Sequence, residues 1–115
     1  ARRQRQMCIR DRVEAVAQAI RQTDPAARVS TAYLELCAPD LPSAARELAQ
    51  EGVRRVRVLP LFFGMGKHAR EDLPLLMDQL RAEHTGVTFE LLPAAGEDPR
   101  LTALLARIAL EKPTP

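Results

Sequence analysis

Apolar positions recur along this chain with two alternating periods, and the alternation predicts helices separated by strands. From Arg12 to Thr23, Val13, Val16, Ala17 and Ile20 fall on one helical face, and Asp24-Pro25 ends the pattern. Arg28 to Leu36 reads as a strand, with β-branched residues, Tyr33, and Glu35 near its carboxyl end. Ala38-Pro39-Asp40 predicts a turn. Leu41, Ala44, Ala45 and Leu48 then form the stripe of a helix from Leu41 to Gln50, with Gly52 as its stop. Val56 to Phe62 is almost continuously apolar, as suits a strand covered on both faces.

The next segment is a glycine-containing turn, Gly64-Met65-Gly66-Lys67-His68-Ala69-Arg70. Asp72 is the expected cap of the helix that follows, with Pro74 in its first turn and Leu73, Leu76, Met77 and Leu80 on its apolar face. Thr85-Gly86 stops it. Val87 to Leu92 predicts a third strand and Pro93 to Glu97 a loop. Asp98-Pro99 combines a cap with proline at the first helical position, ahead of a helix from Leu101 to Leu110.

Helices alternating with strands mean right-handed crossovers and a parallel sheet, so the expected class is α/β: three layers, with helices on both faces of the sheet. Such a fold normally opens with a strand. This chain opens with Ala1 to Asp11, which shows neither strand alternation nor turn chemistry. The expected organisation is therefore a non-native or disordered basic segment over 1–11, one α/β domain over 12–112 whose first strand is missing, and a tail over 113–115. Met7 to Arg12 has the look of translated sequencing adapter.

Composition narrows the function classes. The chain has 115 residues, 46% of them hydrophobic and 28% charged, which suits a folded globular domain. Aromatics are 3% and Trp is absent, so the core is aliphatic and base-stacking nucleic-acid modules are disfavoured. The net charge of +2 owes much to Arg2, Arg3, Arg5, Arg10 and Arg12; a basic arm for nucleic acid is the weaker reading of that segment. Cys8 and Cys37 stand alone, which points to a reducing cytoplasm. No apolar run reaches the roughly 20 residues of a membrane span. No G-x-G-x-x-G or phosphate-binding loop is present. Ligands of open parallel sheets bind at strand carboxyl ends, which draws attention to Glu35 and to the turn holding His68.

Four motifs in order carry a resemblance. Ala32-Tyr33-Leu34-Glu35-Leu36 with Ala38-Pro39, Val58-Leu59-Pro60-Leu61-Phe62, Gly66-Lys67-His68 with Asp72-Leu73-Pro74, and Gly96-Glu97-Asp98-Pro99-Arg100-Leu101 resemble the small type II chelatases. That family, with the CbiX cobaltochelatase and sirohydrochlorin ferrochelatase as its forms, inserts metal into sirohydrochlorin. The resemblance runs from about Val13 to Leu110. It implies a chelatase-like, flavodoxin-like fold, with His68 binding the incoming metal and Glu35, 33 residues earlier, belonging to the same site. It also implies a further histidine after the first strand, for which this sequence has no counterpart.

Metal insertion needs a metal held by few ligands, removal of two pyrrole N–H protons, and a surface that receives the flat ring. An imidazole suits cobalt, nickel and iron, and a carboxylate serves as second ligand or proton acceptor. His68 and Glu35 are thus the catalytic and metal candidates, and Gly64, Met65, Gly66, Lys67 and Arg70 the substrate-binding ones. Arg100 is a further cation for the substrate's carboxylates. No cofactor is expected to be permanently bound; the divalent metal, cobalt ahead of iron or nickel, is a substrate. A sirohydrochlorin-type tetrapyrrole is the expected partner. The resemblance further implies a homodimer or a piece of a two-domain chain. The competing function is a non-catalytic tetrapyrrole- or metal-binding module.

Overall fold

The computed structural model describes residues 2–34, 38–63 and 66–112, with side chains from Arg10 onward. The chain separates into two compact units, Ala1–Val53 and Arg54–Pro115.

In the first unit, α1 spans Arg2–Thr23 and α2 spans Leu41–Gln50. α1 starts ten residues before the apolar pattern does, so residues 2–11, expected as a disordered or foreign end, are helical. α2 starts where its signals put it. Asp40 is the N-cap, accepting a hydrogen bond from the Ser43 amide at 2.8 Å. Gly52, just beyond the end, has φ +88°, which glycine adopts without the Cβ clash. Among the described residues of this unit, Ala17, Ala44 and Ala45 are the buried apolar ones.

The strand expected over 28–36 is not formed by its described part. Residues 28–34 make no ladder; a single bridge joins Tyr33 to Asp40, with the Tyr33 amide donating to the Pro39 carbonyl at 2.9 Å. Side chains hold this segment instead. Arg21 donates to the Val29 carbonyl at 3.2 Å, Thr31 Oγ1 to Glu14 at 2.9 Å, and Arg28 pairs with Glu51. Arg10 donates to the Ala38 carbonyl at 2.7 Å, with its guanidinium 5.8 Å from the centre of the Tyr33 ring.

The second unit holds the parallel sheet. β1, Arg55–Val58, pairs with β2, Thr88–Leu91, in a register that sets Arg55 beside Thr88 and Val58 beside Leu91. β1 is shorter than its apolar run and alternates exposed arginines with half-buried valines, rather than being covered on both faces. Pro60 explains the early end, since it has no N–H for the next rung. Backbone bonds nevertheless continue past the strands. The Leu92 amide donates to Val58 at 2.9 Å, Ala95 to Pro60 at 2.9 Å, and Gly96 to Phe62 at 2.7 Å.

α3, Lys67–Glu83, packs on β2. Leu73, Met77 and Leu80 are buried, as is Phe89 of β2. A 3₁₀ turn at Ala95–Glu97 leads to α4, Pro99–Leu110, whose cap is Asp98. The chain is thus mixed α/β with a parallel sheet, as its alternating pattern requires. No helix among the described residues is long and apolar enough to cross a membrane.

Candidate functional site

The helix after β1 starts at Lys67, five residues before the expected cap. Lys67, His68, Ala69, Arg70 and Glu71 lack the β-branched or turn-forming residues that would delay helix formation, so the helix extends back to Gly66. Asp72 is therefore not the cap. It lies in the interior, and Gly66, with φ −64° and ψ 167°, is the N-cap with no side-chain bond. Pro74 also lies inside the helix rather than in its first turn. Lacking an N–H, it leaves the Arg70 carbonyl without its intrahelical donor.

His68 is consequently a first-turn residue, not a loop residue. It is exposed, as are Gly66, Lys67 and Arg70. The first intrahelical bond runs from the Arg70 amide to the Gly66 carbonyl at 3.0 Å. The amides of Lys67, His68 and Ala69 precede it and have no acceptor in the helix. Two cationic side chains, these amides and the positive end of the helix dipole together favour anions. Glu71 and Asp72 follow His68 by three and four residues, which is the spacing of one helix face.

Four of the expected site residues, Gly66, Lys67, His68 and Arg70, thus share one helix start. Glu35, Gly64 and Met65 lie outside the described residues. Among the described residues no three His, Cys, Asp or Glu side chains gather into a metal-holding group. A single imidazole amid positive charge holds a divalent cation weakly, so a further anionic donor is required there.

His84 belongs elsewhere. It caps the far end of α3, its amide donating to the Leu80 carbonyl at 3.0 Å. Its ring is 6.0 Å from that of Phe89, and its Nε2 is buried, with no hydrogen-bond partner among the described residues, 3.7 Å from Glu83. Arg100, the other expected cation, is held by Asp98. It donates from Nε at 3.0 Å and from a terminal nitrogen at 2.6 Å, while its amide donates to the same carboxylate at 2.8 Å. These bonds lower the Asp98 pKa from 3.8 to about 2. Hydrogen bonds from Ser43 likewise hold Asp40 below its ordinary value.

A family model described as CbiX matches residues 4–111, nearly the whole sequence. The chain belongs to the CbiX family. A crystal structure described as a cobalamin (vitamin B12) biosynthesis CbiX protein from Marinobacter aquaeolei VT8 is 32% identical. It superposes with a TM-score of 0.68 over 84% of this chain and 80% of that one. A sirohydrochlorin cobaltochelatase of Sulfurisphaera tokodaii is 30% identical over 67% of this chain and 61% of its own length. The chloroplastic sirohydrochlorin ferrochelatase of Arabidopsis thaliana is 31% identical over 59% of this chain and 30% of its own length. The chain thus spans less than two thirds of the length of these two chelatases.

Proposed function

We propose that this CbiX protein is a sirohydrochlorin metal chelatase, taking a divalent metal and a sirohydrochlorin-type tetrapyrrole as substrates. Cobalt is the first choice of metal, with iron and nickel behind it. One observation carries the reading: in a CbiX chain, an exposed imidazole stands on the first turn of α3 beside two exposed cations, just past a parallel strand.

His68 takes the incoming ion through a ring nitrogen. Lys67, Arg70 and the free amides of the first turn receive substrate carboxylates, which also offset the positive field against the metal. Glu35 is the second donor, or the acceptor for a departing proton. One divalent ion enters the ring as two pyrrole protons leave, with no change of oxidation state. Two copies of the chain pairing as a homodimer complete the reading.

The test is the absorption change on metal insertion by the full chain. His68→Ala is expected to abolish it and Glu35→Gln to weaken it. Insertion unchanged in His68→Ala would overturn the site assignment. Binding of ring and metal with no insertion spectrum would instead identify a binding module.

A further inference from the structure

Of the described glycines, Gly96 alone lies tight against another stretch of backbone. A Cβ there would fall on the Phe63 backbone, against its carbonyl oxygen, Cα and carbonyl carbon. The same test at Gly52, Gly66 and Gly86 meets open space. The demand at Gly96 is therefore steric, since its φ does not lie in the left-handed region.

This contact sits within a short clamp. Ala95 and Gly96 donate their amides to the Pro60 and Phe62 carbonyls, at 2.9 and 2.7 Å. Ala94 is fully buried, and Pro60 is buried too. The 3₁₀ turn thus grips the chain beyond the end of β1, up to Phe63. Gly66, the N-cap of α3, is three residues further on, a span of at most about 11 Å. His68 follows on the first turn. Packing on β2 holds the middle and end of α3 through Leu73, Met77 and Leu80. Its first turn, by contrast, is exposed at Lys67, His68 and Arg70.

We propose that Gly96 is a positioning residue for His68: its missing side chain lets the 3₁₀ turn clamp Phe63, and the clamp sets where α3 begins. The consequence for metal insertion rests on the reading of His68 as metal ligand.

Three variants of the full chain test this. Gly96→Ala puts a methyl against Phe63. Ala95→Pro deletes the donor to Pro60 without adding bulk at Gly96; Ala94, with φ −56° and ψ 143°, already has the backbone that precedes proline. Gly52→Ala, at φ +88°, strains the chain away from the clamp. The readouts are far-UV circular dichroism, the His68 imidazole NMR signal in metal-free protein, and titration with Co²⁺ alone followed by ligand-field absorption.

Gly96→Ala is expected to keep its helical signal, shift the His68 resonance and weaken Co²⁺ binding by about tenfold, as loss of a ligand-orienting partner does. Ala95→Pro moves both readouts in the same direction by less. Gly52→Ala lowers the melting temperature and moves neither. A folded Gly96→Ala with His68 and Co²⁺ affinity unchanged overturns the proposal, as does an equal shift in Gly52→Ala. Should Gly96→Ala fail to fold, Ala95→Pro decides alone, and no shift of His68 overturns it. His68→Ala separates the two readings. If Co²⁺ binding survives it, the ligand assignment fails, and the metal-free His68 signal still judges the clamp.

Discussion

Residues 28–34 in the first unit and 55–58 in the second carry the same kind of local signal, and only the second becomes a strand. Each opens on an arginine and carries two β-branched residues, Val29 and Thr31 in one and Val56 and Val58 in the other. In the second unit β2 offers an extended edge, and four residue pairs join in parallel register. In the first, the other described elements are helices, whose backbone groups are already spent within the helix. The 28–34 segment therefore makes one bridge and is tied down by Arg10, Arg21, Thr31 and Arg28. The cores differ in the same way. Among the described residues, one unit buries three alanines, and the other buries Leu73, Met77, Leu80, Phe89 and Ala94. Pairing and large side-chain burial go together, because a parallel strand needs a covered face to be stable.

The sharpest way to break this contrast is to remove volume from each core. Leu80 is 1% exposed, and Leu80→Ala is expected to destabilise by about 2–5 kcal/mol through lost burial plus a cavity. Ala45 is also 1% exposed, but Ala45→Gly removes one methyl and some helix propensity, about 1 kcal/mol. Urea unfolding of both variants measures the ratio. Equal losses would mean that the alanine contacts of the first unit matter more than their size implies.

The next effect runs the other way. Pro74→Ala returns a donor to the Arg70 carbonyl, and is expected to stabilise α3 by up to about 3 kcal/mol, the penalty of a helix-interior proline. A melting temperature that stays put or falls would show that Pro74 fits its surroundings without cost.

Amide exchange compares the two segments directly. The amides of Thr88 and Leu92, bonded to the Arg54 and Val58 carbonyls, are expected to exchange slowly. Within 29–34, among the described residues, Tyr33 is the one whose amide has a backbone acceptor, so its neighbours should exchange fast. Protection across 29–32 would mean that the first unit has a ladder after all.

The smallest effect is electrostatic. Asp98 has a folded-state pKa of about 2 against an ordinary 3.8. Its contribution to the start of α4 is complete above the ordinary value, and is lost as pH falls through about 2. Asp98→Ser keeps a cap oxygen but removes the charge, so it should flatten this part of an acid titration followed by circular dichroism. An identical acid profile in wild type and variant would refute the link.

Much of the α/β order was legible in the chain because its signals are local. Asp98-Pro99 starts its helix where its chemistry says, since a cap needs only the amides two or three residues on; Asp40, read as part of a turn, caps the helix whose stripe begins at Leu41. Asp72 misled for the same reason. Capping chemistry was present, but good helix formers before it let the helix start at Gly66. His68 was legible as the chemically distinct residue of its segment, and its place on a helix turn was not.

What the sequence determined by itself, then, was the succession of helices, two of the strands, the parallel class, and His68 with its cations as one group. Periodicity and short-range chemistry suffice for these. Only the tertiary structure decided that 28–34 stays unladdered, that β1 ends at Val58, and that Gly96 must be glycine because Phe63 lies against it. Each depends on a neighbour distant in sequence, and no local pattern records whether that neighbour is there.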